Sequence, residues 1–225
     1  MTALEPWQDL FDLQHTLAAP FLEKARYPWE ILPTIGDLLE VLTPALPPDF
    51  FEVKPGVWVG SGTEIAPNAH IVGPAIIGRN CQIRHGAFIR ECVLMGDGAI
   101  VGNASEVKNA ILFDGAQAPH FNYIGDSILG HKAHLGAGAI LSNFKAAGDE
   151  IVVRLSDSIQ IPSGLNKLGG LLGDFAEVGC NAVVFPGTVI GRGSRVYPLT
   201  PARGYVPPAH ILKSDGKCYP MHDEA

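Results

Sequence analysis

The chain has 225 residues, of which 17% are charged, 26 are glycine and 18 are proline. This length is enough for one sizeable domain with a smaller piece beside it, and the apolar content of 47% excludes a disordered chain. The net charge of −7 belongs to residues 1–52, which hold nine acidic and two basic residues, whereas residues 53–225 are balanced. The sequence shows no basic stripe for a nucleic acid, and its longest uncharged stretches, of 14 residues, are too short to span a membrane.

Cysteine usage predicts the redox compartment. Cys81, Cys92, Cys180 and Cys218 are widely spaced and form no paired motif, and no basic region precedes an apolar run at the N-terminus. We therefore expect reduced thiols in a cytoplasmic protein.

Residues 1–52 alternate helix-forming runs with proline. The runs 7–18, 21–26 and 34–42 place apolar residues at helical spacing, and Pro20, Pro28 and Pro33 interrupt them. Short amphipathic helices need a surface to lie against. We expect an N-terminal helical segment that packs against or caps the rest of the chain.

From Val53 to Val196 an aliphatic residue recurs at nearly every sixth position. Small or β-branched residues such as Ala69 and Ala75 follow four positions later, and the pattern is interrupted between Asn143 and Gly170. The aliphatic positions are Val53, Val59, Ile65, Ile71, Ile77, Ile83, Ile89, Met95, Val101, Val107, Leu112, Ala118, Ile124, Leu129, Leu135, Leu141, Leu172, Val178, Val184, Ile190 and Val196.

A period of six belongs neither to an α-helix nor to a simple strand. It predicts a chain wound as a triangular prism, in which each side is one hexad, each coil is three hexads and the aliphatic side chains fill the interior. Neighbouring coils then stack about 4.8 Å apart as parallel ladders. The twenty-one hexads predict an all-β fold, a parallel β-helix of about seven coils over residues 53–200.

Two segments depart from the predicted winding. Residues 145–168 are too many for a connector and are predicted to form an excursion of the kind that often serves as a functional lid. Residues 201–225 contain Pro201, Pro207 and Pro208 and are predicted to be an irregular C-terminal tail.

Stacking brings distant polar residues together on the predicted prism. His85 and His120 hold equivalent positions two coils apart, roughly 10 Å, which is too far to share a metal ion within one chain. Glu106 and Tyr123 are neighbours in adjacent coils, and a polar column follows around the next corner. That column is Asn109, Asp126 and Asn143, with Lys108 one residue before it. We expect these residues to gather near one corner with His120.

This collection suits acyl transfer to an amine on a phosphorylated substrate. A neutral imidazole, that of His120, takes a proton from an amine that attacks a thioester. A carboxylate, that of Glu106, orients the imidazole. Lys108 and an arginine such as Arg84 hold a phosphate.

Three segments resemble one family closely. They are Gly102-Asn-Ala-Ser-Glu-Val-Lys108, Ala118-Pro-His-Phe-Asn-Tyr-Ile-Gly-Asp126 and Leu135-Gly-Ala-Gly-Ala-Ile-Leu-Ser-Asn143. The family is the C-terminal acetyltransferase domain of the bifunctional enzyme that makes UDP-N-acetylglucosamine, and the resemblance covers residues 55–200. It implies a left-handed β-helix, acetyl-CoA as co-substrate, no metal, and a homotrimer with the CoA site between neighbouring prisms.

The resemblance also implies residue roles. His120 would be the base for the amine of glucosamine 1-phosphate, with Ala137, Cys180 and Pro198 of the following coils near CoA. The residues implied to hold the sugar phosphate are Lys108, Tyr123, Asn143, Lys167 and, from its local motif, Arg84. Arg90 matches the family's spacing to Lys108 but lacks that motif.

The departures from the family concern the substrate. His134 replaces an asparagine that helps to hold the sugar, Phe144 replaces a tyrosine, and Cys180 replaces a serine near CoA. The excursion 145–168 is some twenty residues longer than in the family, and residues 1–52 are too few for the uridylyltransferase domain. An amino-sugar phosphate is therefore the expected acceptor, with another amino-sugar or its nucleotide as the alternative.

Two other functions remain open at this point. One is a non-catalytic regulatory or scaffold subunit built on the prism. The retained lysines, histidine, tyrosine and asparagine of the motifs argue against it, whereas the departures at His134 and Phe144 leave it open. The other is an enzyme similar to γ-class carbonic anhydrase, which uses the same fold with three histidines on zinc. The two histidines five residues apart that the latter requires do not occur near His120.

Overall fold

The structure, a computed structural model, describes residues 9–221. Most of the chain winds into stacked coils, each made of three short parallel strands separated by corners. Apart from Val53 and Ile65 at the N-terminal end, the aliphatic residues of the hexads fill the interior, and those of one coil, Ile77, Ile83 and Ile89, are almost completely buried. The predicted parallel β-helix is confirmed, with seven complete coils and part of an eighth.

Each coil contributes one strand to each of three faces, which are called the first, second and third face in the order in which the chain meets them. The first face contains Val57–Gly60, Ala75–Ile77, Val93–Met95, residues 110–112, residues 127–129, Gly170–Leu172, Thr188–Ile190 and Tyr205–Val206. The second face contains Glu64–Ile65, Gln82–Ile83, Ile100–Asn103, Gln117–His120, His134–Leu135, Glu177–Val178, Arg195–Val196 and His210–Leu212. The third face contains His70–Ile71, Phe88–Ile89, residues 106–107, residues 123–124, Ile140–Leu141, Val183–Val184 and Pro201–Ala202. Strands Glu106–Leu112 and Tyr123–Leu129 continue around a corner from the third face to the first.

An antiparallel strand closes the winding at each end. Phe50–Lys54 pairs with the first strand of the first face, so that Val53 is exposed and its hexad is not part of a coil. At the other end Cys218–Pro220 pairs with His210–Leu212. The winding therefore continues beyond Thr200, where an irregular tail was expected, because Ala202, Val206 and Leu212 still fill the interior.

The outer surface of the first face is a second hydrophobic core. Its outward side chains form an aliphatic stripe: Ile76, Leu94, Ile111, Ile128, Leu171 and Val189. Residues of the N-terminal segment cover this stripe, among them Leu32, Ile35 and Leu38. Each such side chain contributes about 1.5–3 kcal/mol when it is fully buried. The second and third faces carry no such stripe of buried outward side chains in residues 9–221.

The N-terminal segment contains α-helices Ala19–Leu22 and Ile35–Leu42 and 3-10 helices Leu13–His15, Pro28–Thr34 and Thr43–Ala45. The helix predicted over 34–42 is confirmed. The one predicted over 7–18 is wrong for residues 9–18, which hold only the short turn Leu13–His15; its start at Trp7 lies outside the described residues. The physical reason is that backbone groups of this stretch bond to the coils: the Asp12 amide donates to Asp174, and the Asp114 amide donates to the His15 carbonyl.

The excursion 145–168 contains an antiparallel hairpin, Val152–Arg154 with Gln160–Pro162. Its buried side chains Ile151 and Val153 join the core on the first face, next to Val189. The hairpin therefore extends the cover that the N-terminal segment places on this face, and does not lie over the third face as a lid.

All four cysteines are free thiols. Over residues 9–221, the helices are all too short to cross a bilayer.

Candidate active site

A single column of residues follows the corner between the second and third faces. Asn103 pairs with His120, and backbone hydrogen bonds from Gly138, Asn181 and Leu199 reach the carbonyls of the preceding coils at 2.9–3.0 Å. The column, called the His120 column below, contains His85, Asn103, His120, Ala137, Cys180 and Pro198. His120, the base that the resemblance implies, and the three residues implied to lie near CoA therefore share one edge of the solenoid.

Buried Asn122 fixes the backbone at His120. Its Oδ1 accepts the His120 amide at 3.0 Å, and its Nδ2 donates to the Gly136 carbonyl at 2.8 Å in the next coil. Its own amide donates to Ser105 Oγ at 3.1 Å in the preceding coil. The His120 side chain itself is exposed and lies against Phe121, with 6.0 Å between the ring centroids. Asn122 was not predicted from the sequence, although an amide at a buried corner position of the hexad was a visible signal.

The third face begins three residues after His120 and carries paired charges. Glu106 and Tyr123 are adjacent in the ladder, as predicted. Glu106 Oε1 lies 3.1 Å from Arg90 Nη1, and this hydrogen bond raises the pKa of Arg90. The carboxylate expected to orient His120 thus orients Arg90 in this structure.

Tyr123 projects toward the far end of the third face. Burial, followed by the negative charges of Glu106 and Asp126, raises the pKa of its phenol, so that the hydroxyl keeps its proton at neutral pH. That hydroxyl donates to Asn143 Oδ1 at 3.4 Å.

Asp126 connects the polar residues at the next corner. Its Oδ1 accepts from Asn109 Nδ2 at 2.8 Å, and its Oδ2 accepts from Asn143 Nδ2 and lies 3.4 Å from Lys108 Nζ. The predicted column of asparagines and aspartate is therefore a hydrogen-bonded group, and it places Lys108 and Asn143 side by side.

Lys167 lies at the base of the excursion. It forms an isolated antiparallel bridge with Phe144, which places it next to Asn143, and its side chain is exposed. The excursion thus begins and ends at the polar group, although its hairpin packs elsewhere.

The structure does not bring Arg84 or His134 to this group. Arg84 lies on the second face, two coils below Pro119, and its guanidinium donates to Gln82 Oε1 at 2.8 and 3.1 Å. His134 lies at the opposite end of the second face, level with Gln117, whose Oε1 is 3.3 Å from its Nδ1. Three residues of strand, about 10 Å, separate that end from the level of His120.

Arg90, in contrast, lies within the group. Its amide donates to the Val107 carbonyl at 2.8 Å, which places Arg90 directly below Lys108 in the third-face ladder. The backbones of these two cationic residues are thus about 4.8 Å apart, between the His120 column and the Asp126 corner. No cluster of three or more His, Cys, Asp or Glu suited to a metal ion occurs in the described part of the chain.

Comparisons with known proteins give three relevant similarities. The family described as the GMPPB C-terminal domain matches residues 71–162. A bifunctional sugar-1-phosphate nucleotidylyltransferase/acetyltransferase of Sulfurisphaera tokodaii is 30% identical over 152 residues, which are 60% of this chain and 38% of that protein. The bifunctional protein GlmU of Aromatoleum aromaticum is 32% identical over 136 residues, which are 60% of this chain and 26% of that protein. The resemblance inferred from the three motifs is confirmed.

Among solved structures, a mutant of AntD, an N-acyltransferase from Bacillus cereus, in complex with dTDP and coenzyme A aligns with 78% of this chain and 92% of its own. The TM-score is 0.46 and the identity 16%. The chain described here spans about a quarter to two fifths of the length of the curated relatives above.

Proposed function

We propose that this chain is an acetyl-CoA-dependent N-acetyltransferase that acts on an amino-sugar phosphate similar to glucosamine 1-phosphate, or on an amino-sugar nucleotide. The observation that carries the proposal is the position of His120. Its exposed imidazole stands at the edge of a face that carries Arg90 and Lys108, in the same column as Ala137, Cys180 and Pro198.

The proposed reaction needs one base. Neutral His120 accepts the proton of the acceptor amine as its nitrogen attacks the thioester carbonyl. The C–N bond forms, the C–S bond breaks, and the CoA sulfur leaves as the thiol once it takes up the proton. Asn122 serves this step by holding the His120 backbone at the corner.

The proposed phosphate position is the third face beyond Tyr123. Lys108, Arg90 and Lys167 are the cations there, and guanidinium and ammonium groups bind phosphate oxygens through charge-assisted hydrogen bonds. Tyr123 and Asn143 offer polar groups to the sugar between the phosphate and His120.

Acetyl-CoA is proposed to lie along the His120 column on the C-terminal side, past Ala137, Cys180 and Pro198. These residues are small or lack a charge, so that a thioester chain can approach the backbone. A homotrimer, with this edge facing a neighbouring copy, is part of the proposal. Reduced thiols on all four cysteines support a cytoplasmic location.

The test is release of CoA thiol from acetyl-CoA with glucosamine 1-phosphate, beside a panel of other amino-sugars and their nucleotides. We expect turnover on one of these acceptors and a loss of about 10²–10⁴-fold in kcat for His120→Ala. His70→Ala is the matched control, because His70 is also an exposed histidine at the start of the third face in the first coil.

An unchanged melting temperature in His120→Ala shows that the loss is chemical. Near-normal turnover in His120→Ala contradicts the proposed base. If no acceptor in the panel is acetylated and acetyl-CoA does not raise the melting temperature, the proposed enzymatic activity is contradicted and the scaffold function is favoured.

A further inference from the structure

Asp126 is a buried carboxylate at the centre of the polar corner. It stands where the chain turns from the third face to the first, with φ of +46°, and its side chain is 8% exposed. The proposed chemistry does not place it in contact with a substrate. Its side-chain partners are Asn109, Asn143 and Lys108, and the last two carry proposed binding roles.

An ionised carboxylate only accepts hydrogen bonds, and this determines how Asn143 is oriented. Asp126 Oδ2 accepts a hydrogen bond from Asn143 Nδ2, so that Asn143 Oδ1 must point the other way, toward the Tyr123 hydroxyl. Asp126 Oδ1 likewise accepts a hydrogen bond from Asn109 Nδ2. An asparagine in place of Asp126 would turn its own NH₂ group toward one of these two NH₂ groups, and that hydrogen bond would be lost.

The same carboxylate holds the Lys108 ammonium group. The pair is largely withdrawn from water, since the Lys108 side chain is 16% exposed, and it has 3.4 Å between Nζ and Oδ2. Removing the charge of one partner of such a pair leaves the other poorly compensated. Lys108 would then no longer be held beside Asn143.

Gly125 allows this group to close. A Cβ on Gly125 would lie 2.6 Å from Asn143 Nδ2 and 2.7 Å from Tyr123 Oη, so that both side chains occupy the space a side chain would take. Tyr123, Asn143 and Lys108 are thus arranged around Asp126 and around the space left by the missing side chain of Gly125.

We propose that Asp126 is a positioning residue of the acceptor site. It determines which way the amide oxygen and nitrogen of Asn143 point and holds Lys108 toward the acceptor, but does not itself contact the acceptor. This inference rests on the proposed function for its kinetic consequence. Its structural part, the orientation of Asn143, does not depend on which reaction the site performs.

Asp126→Asn tests the inference cleanly. Asparagine has nearly the same shape and tolerates left-handed backbone angles, so that the fold is expected to persist, with a lower melting temperature because Lys108 loses its counter-charge. We expect kcat/KM for glucosamine 1-phosphate, or for whichever panel acceptor is turned over, to fall about tenfold or more. The effect should appear mainly in the KM of the acceptor, with the KM of acetyl-CoA unchanged.

Asp97→Asn is the matched control. Asp97 is also an aspartate at a corner, where it accepts the Arg79 amide at 2.8 Å and lies 3.3 Å from Arg79 Nη1, but that corner joins the first and second faces. We expect its acceptor KM to stay at the wild-type value. An equal rise in both variants would overturn a specific role of Asp126.

A polarity swap provides the second test. Asn143→Asp alone places two carboxylates in contact, whereas the double variant with Asp126→Asn restores one donor opposite one acceptor and leaves an oxygen facing Tyr123. We expect the double variant to recover about tenfold in kcat/KM over Asn143→Asp alone. No recovery would overturn the proposed role of polarity.

A crystal structure of the Asp126→Asn variant would test this inference independently of the proposed function. If the wild-type chain transfers no acetyl group to any acceptor, the proposed function fails. A reoriented Asn143 amide and a displaced Lys108 in that crystal structure still support the positioning role, and unchanged side chains overturn it.

Discussion

At the scale of single residues, the main question is which arginine would face the phosphate of the proposed acceptor. Arg84 matches the family's local motif, but its guanidinium is held by Gln82 on the second face. Arg90 lies directly below Lys108 on the third face and is oriented by Glu106. Because a phosphate needs cations on one surface, the geometry favours Arg90.

We predict that Arg90→Ala raises the KM for glucosamine 1-phosphate by about 10–100-fold, since a charge-assisted hydrogen bond contributes about 1.5–3 kcal/mol. Arg84→Ala is expected to change it by less than about threefold, in line with ordinary surface substitutions of ±0.5 kcal/mol. Initial-rate kinetics with varied acceptor and saturating acetyl-CoA measures both. A larger rise in KM for Arg84→Ala than for Arg90→Ala would instead place the phosphate site on the second face.

At the scale of elements, residues 10–16 run along the corner between the first and second faces. Buried Asp174 accepts the Asp12 amide at 2.7 Å and the His131 amide at 2.8 Å, and it pairs with Arg192 at 2.5 Å. His15 stacks on His131 with ring centroids 3.6 Å apart. The N-terminal segment is thus attached to the coils by an array of ionisable groups.

His131 makes this attachment sensitive to acid. Burial and the neighbouring His15 lower its pKa below the ordinary 6.5, and its Nδ1 is buried without a hydrogen-bond partner among the described residues. The native state therefore binds this proton less readily than the unfolded chain. The contribution of His131 to stability is therefore fully present above about pH 6.5, and we expect it to be lost as the pH drops below that value.

Other ionisable groups near His131 also affect how stability depends on pH. Burial raises the pKa of Asp114 above the ordinary 3.8, so that this carboxyl contributes stability in the opposite sense, toward acid pH. Lys132 lowers the pKa of His131 and Asp174 raises it, as weaker contributions than burial.

We predict that the melting temperature of the wild-type chain falls between pH 7.5 and 5.5 and that His131→Phe flattens this fall. Phenylalanine keeps a ring against His15 and Phe175 but cannot be protonated. Thermal denaturation across this range is the measurement, with His70→Phe as an exposed control that should keep the wild-type slope. Equal slopes in wild type and His131→Phe would exclude His131 as the cause.

At the scale of the whole molecule, only one of the three outer faces of the described chain is covered by other segments of the same chain. The N-terminal segment and the excursion both pack on the first face, so that the second and third faces are the ones available to the proposed substrates and to neighbouring copies. Apolar side chains are also exposed next to the His120 column. Phe121 is 56% and Leu199 75% exposed, and both adopt left-handed backbone angles that favour Gly or Asn.

We predict a homotrimer with a mass about three times 23.9 kDa, in which these apolar corner residues are covered by a neighbouring copy. Leu199→Asn suits the left-handed backbone but removes the apolar contact, so that it should shift the population toward monomer without unfolding. Size-exclusion chromatography with light scattering over a concentration series measures both species. A wild-type chain that is monomeric throughout contradicts the prediction.

Much of the fold was predictable because a solenoid is a local and repeated structure. Each hexad interacts with the hexads about 18 residues before and after it, so that simple counting placed Glu106 beside Tyr123 and Asn109 beside Asp126. The same counting, applied to outward positions, would have found the stripe from Ile76 to Val189.

The sequence by itself determined the winding, the position of the His120 column and the polar column at the next corner. The tertiary structure alone decided that Glu106 orients Arg90, that Arg84 turns to Gln82, and that Asp126 sets the polarity of Asn143. It also decided that the excursion covers the first face and is not a lid. The physical reason is that periodicity specifies which backbones are adjacent. The partner of a long polar side chain depends on its rotamer and on the charges within its reach.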